Sequence, residues 1–512
     1  MNRSFGYRLL EMIPATLSWS ILILPVVLSF VVPLEVSIFI AAFVFLWFFR
    51  TVEYIWFLLL SYFRFRKYEL FDFETALKNW EQGKNLTKEE SLHRQILKKS
   101  NDFLLAKDIR HIVIIATCGE PFEVLDETII ALSESKYDMK KVLLCLATEE
   151  RMGEESAEIA VRIQEKFKGQ FGRFFHTVHP DGIFGEVRGK GGNITHAGRE
   201  VTKILESEGA KLENYLVTTL DADNKVHQDY LSSLTLAYIR AGERQNKSYQ
   251  PLPLFFNNIW EVPLLNRMIA ISGGFWHMVE SARPYRLHNF SSHAQPLKAL
   301  KDMDFWAVDT IVEDGHQYWR SYFHFSGKYS VEPLFVPIYQ DAVMNKNFQK
   351  TVFAQYKQIR RWAWGCSDIP FVLVQWWKNA KNIPVFETLI HFLRLMEGHI
   401  FWATGAIMIT LATPVPGMLN QGYGDSIYSA NISSILSFFF QISLSGIFVM
   451  MILSFITLPK PPKKMSYFKI MLQWIFIPVM TIGFGAIPAL EAQTRLFFGK
   501  YLGFNVTEKI RE

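Results

Sequence analysis

The sequence predicts an α/β domain set between membrane-spanning α-helices. Three observations predict it: apolar residues are segregated toward both ends, the middle alternates short buried-strand patterns with helical ones, and the strand patterns finish in polar residues. Of 512 residues, 50% are apolar, 15% aromatic and 20% charged, and the mean hydropathy of +0.10 is high for a soluble protein with that much charge. The expected division is a transmembrane hairpin over 1–68, a polar linker over 69–107 and a cytoplasmic α/β domain over 108–350. Interfacial amphipathic helices over 351–380, a second transmembrane region over 381–492 and a tail over 493–512 follow.

Residues Met12 to Leu34 carry no charge. At about 1.5 Å per residue they are long enough for a hydrocarbon core of about 30 Å. The run from Val36 to Tyr62 holds only Arg50 and Glu53, which are three apart and positioned to pair on one helix. Arg3 and Arg8 precede an apolar run that is too long for a secretory leader and lacks a small-residue cleavage site, so a retained hairpin is expected. Arg64, Arg66 and Lys67 then place the following domain on the cytoplasmic side. The polar stretch from Lys78 to Lys99 reads as a charged linker or exposed helices.

In the middle, His111 to Ala116, Lys141 to Ala147 and Tyr215 to Leu220 read as buried strands. Phe122 to Ser133, Glu154 to Phe167 and Ile194 to Ser207 read as helices between them. This repeat predicts a parallel sheet, which binds ligands at the carboxyl ends of its strands.

Three further spans are expected near His391 to Leu411, Ile432 to Leu458 and Ile470 to Leu490. Residues 413–431 hold no Lys or Arg and should face outward, whereas Lys460, Lys463 and Lys464 should face inward. Two plus three crossings leave the tail outside, but Pro478 and Pro488 offer a broken, re-entrant last segment that returns it to the cytoplasm. The sequence leaves both parities open. The net charge of +5 is accounted for by cytoplasmic basic loops and anionic headgroups, and no basic-aromatic arrangement points to nucleic acid. Cys118, Cys145 and Cys366 have no paired metal spacing and are expected to be reduced structural thiols. Asn193-Ile194-Thr195 is read as a chance glycosylation triplet.

Chemistry enters with the acidic motifs. Asp221 closes the run Tyr215 to Leu220, so Asp221-Ala222-Asp223 sits where a sheet presents ligand-binding groups; Asp302-Met303-Asp304 follows no strand. Carboxylate oxygens at such a place suit a hard cation such as Mg2+ or Mn2+. The glycine-rich turn Gly189-Lys190-Gly191-Gly192-Asn193 lets backbone N–H groups approach a phosphate, and Lys190 adds charge near a helix N-terminus. Arg188 is a weaker candidate of the same kind. Glu313-Asp314 is either a general-base pair or ordinary first-turn helix acids. His316 reads as an ordinary surface histidine, with a metal or proton-transfer role as the alternative. Gln358, Arg361 and Trp362, offset by three and four, share one helix face, where an indole packs on a pyranose face and the polar groups reach hydroxyls or diphosphate. Trp364, Trp376 and Trp377 read as a membrane aromatic belt.

In this order, the three motifs resemble the membrane-embedded family 2 glycosyltransferases, the group that includes cellulose, chitin and hyaluronan synthases, over roughly residues 110 to 365. The resemblance implies a nucleotide-diphospho-sugar transferase (GT-A, Rossmann-like) fold in a multi-pass protein of the plasma (bacterial inner) membrane. It implies inverting, Mg2+- or Mn2+-dependent transfer from a nucleoside-diphosphate sugar, UDP-linked by the family's habit, to a β-linked polysaccharide. Asp223 then holds the metal, with Asp221 on the metal or the ribose. Thr117, Glu120 and Lys190 meet the nucleotide, Gln358 and Arg361 meet the donor, Trp362 meets the acceptor, and Asp314 beside Glu313 is the base. Gly119 stands in place of the usual Asn and Val312 in place of Thr. Glu149 stands where relatives have an Asp-Asp-Gly turn, which leaves the base of the nucleotide open. Phe504-Asn505-Val506-Thr507-Glu508-Lys509 resembles the Phe-x-Val-Thr-x-Lys gating loop, which assigns Thr507 and Lys509 to the diphosphate. Transfer of a single sugar to a lipid carrier, a membrane transporter and an inactive scaffold are the alternatives. Export subunits leave no mark in the sequence.

Overall fold

The computed structural model describes residues 4–100, 102–462 and 467–503. Its centre is an eight-stranded sheet in the order β3-β2-β1-β4-β7-β6-β8-β5. The strands are β1 Arg110–Ala116, β2 Val142–Glu149, β3 Arg173–His179, β4 Tyr215–Asp221, β5 Lys225–Val226, β6 Lys247–Leu254, β7 Ala294–Pro296 and β8 Ser330–Tyr339. The runs Ile112 to Ile115 and Val142 to Leu146 are buried on both faces, which is why they read as continuous apolar stretches rather than alternating ones.

The expected parallel sheet is found only in the half β3-β2-β1-β4. In the other half β7 runs antiparallel to β4 and β6, β5 runs antiparallel to β8, and β6 and β8 are parallel. The sheet is therefore mixed. The sequence hid this half because β7 is three residues long and Pro333 and Pro337 interrupt the β8 pattern.

Helices cover both faces. α5 Phe122–Ser133, α6 Gly153–Lys166 and α8 Tyr230–Arg240 pack on one through Leu125, Ile129, Ile163 and Leu234. α7 Lys190–Ser207 and α10 Leu297–Asp302 pack on the other through Ile194, Ala197, Val201 and Leu300. The stretch read as a linker forms α3 Phe73–Gln82 and α4 Lys88–Lys99, capped by Asp72 and by a Thr87–Glu90 capping box. These helices are not merely exposed: Trp80 is fully buried, and Phe73 and Leu97 join the sheet core. Their apolar residues are too few to have signalled this.

Among the described residues, five helical segments are long and apolar enough to cross a membrane: α1 Phe5–Leu28, α2 Pro33–Glu69, Val385–Ala412, Ile427–Thr457 and Ile470–Phe497. Arg50 and Glu53 pair as expected, at 2.9 Å, and Arg50 also reaches Glu397. The last segment carries Pro478, a π-helical stretch over Thr481–Ala486 and Pro488. Its beginning, through Trp474 and Met480, packs with Phe255, Met268 and Val279 of the α/β domain. Its end, through Leu496, joins Tyr318, Tyr322 and Val331 of the same domain. Both ends of the segment thus pack against the α/β domain, and Leu502 packs on the same cluster as Leu496. α9 Leu264–Ser281, α11 Glu313–His324, α12 Phe348–Ala363, α13 Asp368–Asn379 and α14 Val385–Ile407 complete the join between domain and apolar helices.

Candidate active site at the strand ends

Register brings the carboxyl ends of the central strands level: Ala116 of β1 lies opposite Ala147 of β2 and Asp221 of β4. Asp221 is the last residue of β4 at this edge. The Lys190 ammonium, at the start of α7, donates to Asp221 Oδ1 at 2.7 Å. The Ser291 hydroxyl donates to Asp221 Oδ2 at 3.0 Å, and the Ser291 backbone N–H donates to Asp314 Oδ2 at 2.5 Å. One serine therefore joins two carboxylates from distant parts of the sequence. Gln340 Nε2 in turn donates to the Ser291 hydroxyl at 2.6 Å. Ser291 has φ +48°, the left-handed region that an L-residue seldom occupies, and its surroundings hold it there.

Asp223 is buried and lies on the same edge; its Oδ2 accepts from the Asp341 N–H at 2.9 Å. Asn257 Nδ2 bonds the Asp223 carbonyl at 3.0 Å and Asp341 Oδ1 at 2.9 Å. Residues 340 and 341, directly after β8, thus fasten both acidic positions.

Lys190 and Glu313 are adjacent through Gly191. A Cβ on Gly191 would stand 2.3 Å from the Ala307 carbonyl oxygen and 3.2 Å from Glu313 Cβ, so only glycine allows this approach. Burial, and secondarily the neighbouring Asp314 charge, pushes the Glu313 carboxyl up to about 7, against the opposing pull of Lys190 and Arg361. Burial disfavours the Lys190 ammonium, yet Asp221, Glu313 and Asp314 outweigh it and raise Lys190 above its ordinary value.

Thr117 and Glu120 form a closed loop: the Glu120 carboxylate accepts from the Thr117 hydroxyl at 2.7 Å and from the Cys118 N–H at 2.6 Å. Gly119 has φ +85°, and a Cβ there would meet Met152 Cε at 2.4 Å, which accounts for glycine in this loop. Glu149, at the end of β2, is buried and paired with Arg151, whose guanidinium also contacts Cys118 Sγ at 3.2 Å. Burial, with the Glu149 charge, pushes the Cys118 thiol up to about 11, so it is a poor nucleophile. Arg188 pairs with Asp181 at 2.9 Å.

The Gln358, Arg361 and Trp362 set is split. Gln358 is buried and accepts from Gln355, which accepts from Asn266 of α9 at 3.1 Å. Arg361 lies close enough to act on the Glu313 charge. Trp362 packs on Phe255, ring centroids 5.9 Å apart, in the cluster that also holds Ala342. Ala342 follows Asp341, so the 340–342 segment connects this cluster to the carboxylates. His316 is not a surface residue: it is buried, with Nδ1 2.6 Å from Asp368 Oδ1. Thr507 and Lys509 lie outside the described residues.

The sequence missed Ser291, Gln340, Asp341 and Asn257. Asp341 obeys the same strand-end rule that found Asp221, and recognition of β8 would have exposed it. Ser291 carries no such signal. Among the described residues, no three His, Cys, Asp or Glu side chains are grouped to hold a metal ion.

The fold and site define a class: a mixed α/β domain with a lysine and carboxylates gathered at its strand ends, joined to long apolar helices. No family model and no curated protein matches the chain. Among solved structures, the chain is similar to the mannosyltransferase PcManGT from Pyrobaculum calidifontis in complex with GDP-Man and Mn2+. That likeness is at 13% identity, covering 77% of this chain and 88% of that one, with a TM-score of 0.41. It is also similar to S. aureus TarS 1–349 in complex with UDP-GlcNAc, at 14% identity, covering 65% and 92%, with a TM-score of 0.31.

Proposed function

We propose that the chain is an inverting glycosyltransferase that moves a sugar from a nucleoside diphosphate to an acceptor hydroxyl, and that it works in a multi-pass setting with its α/β domain cytoplasmic. The observation that carries this is the bridge Lys190–Asp221–Ser291–Asp314, which sets a cation and an acid for the donor beside an acid for the acceptor. Lys190, on the first turn of α7, neutralises the departing diphosphate together with the backbone N–H groups of that turn. Asp314 accepts the acceptor hydroxyl proton as the new C–O bond forms at the anomeric carbon. The old bond to phosphate breaks and the electron pair leaves with the diphosphate. Gly315 N–H, at 2.8 Å from Asp314 Oδ1, and Ser291 N–H fix the carboxylate for this task. Asp221 and Asp223 fit a Mg2+ or Mn2+ ion whose other ligands are substrate phosphates and water, since such ions bind through one or two carboxylates and need no all-protein cage. When bound, the ion supplies further charge neutralisation at the diphosphate.

UDP is the first nucleotide to try, and growth of a β-linked polysaccharide and single transfer to a lipid both remain within this reading. Purified protein should release diphosphate from one member of a panel of nucleotide sugars. Asp314→Asn should lower that rate about 10²- to 10⁴-fold with little change in nucleotide affinity. Turnover by Asp314→Asn equal to wild type rejects the assignment.

A further inference from the structure

The segment that carries Ser291 holds a second polar side chain that the reaction above does not use, His293. The antiparallel register that sets Thr218 of β4 opposite Ala294 of β7 continues beyond β7. The Thr219 N–H donates to the His293 carbonyl at 3.2 Å, and two residues further Asp221 meets Ser291 through the serine hydroxyl. His293 is 1% exposed. Burial, and secondarily the Lys190 charge, pushes its imidazole down to about 3, while the Ser291 carbonyl and Asp221 pull the other way. The ring is therefore neutral at physiological pH, and it lies among the same Lys190, Asp221 and Ser291 that form the bridge.

The Trp306 indole N–H donates to His293 Nε2 at 3.3 Å. An indole nitrogen only donates, so Nε2 accepts and the ring proton sits on Nδ1. Nδ1 is buried and completes no aligned hydrogen bond among the described residues, and the Ser291 carbonyl is the acceptor near enough to favour a proton on the ring. Trp306 is itself fixed to α7: its N–H donates to the Thr195 hydroxyl at 3.2 Å, and that hydroxyl donates to the Trp306 carbonyl at 3.1 Å. The next carbonyl, that of Ala307, is the one that closes on Gly191. One edge of the imidazole is thus tied to the helix that begins at Lys190, and the other serves the backbone of Ser291. Nor is this ring the base, since the indole occupies Nε2 and protein covers the rest, so no acceptor hydroxyl reaches it.

We propose that His293 is a positioning residue: its Nδ1–H takes the Ser291 carbonyl and holds the peptide after Ser291, which keeps the Ser291 N–H on Asp314 and the Ser291 hydroxyl on Asp221. An L-residue at φ +48° needs such a hold, and a buried donor is costly to leave unmade. The effect on rate rests on the glycosyltransferase reading; the hold on Ser291 rests on the geometry of residues 291–306 alone. Through Trp306, His293 and Ser291, the diphosphate turn of α7 and the acceptor base are kept in one alignment.

Asparagine brings an amide nitrogen near the place of Nδ1 and glutamine brings its amide near that of Nε2, so two variants separate the two edges of the ring. In the full chain, hydrogen exchange of the peptide over residues 288–296, read by mass spectrometry, should be about tenfold faster in His293→Gln than in wild type and close to wild type in His293→Asn. With a nucleotide sugar that wild type turns over, His293→Gln should lower kcat about tenfold at unchanged KM, and His293→Asn should restore most of that loss. His293→Ala, which deletes both edges, replaces His293→Gln with the same expected outcomes if the latter does not fold. Equal exchange in all three proteins, an equal rise in both variants, or a rise in His293→Asn alone overturns the hold on Ser291. A raised KM at unchanged kcat overturns the effect on rate. The expected exchange pattern in a protein that turns over no nucleotide sugar upholds the hold and defeats the transferase reading; turnover by wild type with equal exchange throughout does the reverse.

Discussion

Ser291 shows why single residues at the site differ in legibility. Asp221 was readable because it closes an apolar strand, and Asp314 because an acid pair opens a helix. Ser291 lies in a loop with no period, and its importance is set by a φ of +48° and by partners at positions 221, 314 and 340. Ser291→Gly preserves that backbone and the N–H to Asp314 but deletes the hydroxyl on Asp221, so folding should be retained while kcat falls about tenfold or more. An unchanged kcat would show that the bridge is ornamental. Glu313 makes a prediction in pH. Its native carboxyl is raised to about 7, so its stabilising contribution is complete below its unfolded value of about 4.5 and is lost as pH rises through 7. Glu313→Gln should remove that loss, roughly 3 kcal/mol at most. The thermal midpoint of the variant should therefore fall less than that of wild type between pH 5 and 8. A parallel decline in both proteins would contradict it.

Among elements, β1, β2 and β4 were legible because burial on both faces writes itself as an apolar run, and α5 because its buried Val124, Leu125, Thr128, Ile129 and Leu132 recur at helical spacing. β7 and β8 were not, since a three-residue strand has no pattern and two prolines mask the other. Their loss concealed the half of the site that residues 340 and 341 supply. α7 began at Lys190, four residues before the expected Ile194, because its first turn is packed too tightly for side chains. Gly191→Ala tests that packing. The added methyl meets a backbone carbonyl at 2.3 Å, which cannot rotate away, so a destabilisation of about 1–3 kcal/mol is expected with weaker nucleotide binding. Denaturant unfolding and calorimetry of the variant would measure both, and a neutral result would mean that the loop at Ala307 yields.

At the scale of the whole molecule, charge patterning found the apolar helices but left the parity of the last segment open, because Pro478 and Pro488 signal a break without saying where the chain goes next. The contacts make that question testable: Trp474 and Leu496, near the two ends of the segment, both pack with residues of the α/β domain. A single cysteine at Leu502, in a background without the three native ones, should be labelled by an impermeant reagent only from the side that labels the α/β domain. One at Gln421 should be labelled only from the opposite side. The same side for both would refute this arrangement.

Arg8 ties the beginning of α1 to the close of the final helix. Its guanidinium donates to the Phe497 carbonyl at 2.8 Å and to the Leu496 carbonyl at 3.1 Å, and fully buried Glu11 accepts from the Tyr501 hydroxyl at 2.8 Å. During synthesis α1 leaves the ribosome nearly five hundred residues ahead of the polar groups that bond its Arg8 and Glu11 from the far end of the fold. Glu11 and Arg8 therefore meet each other long before the carbonyls and the hydroxyl that complete their hydrogen bonds have been made.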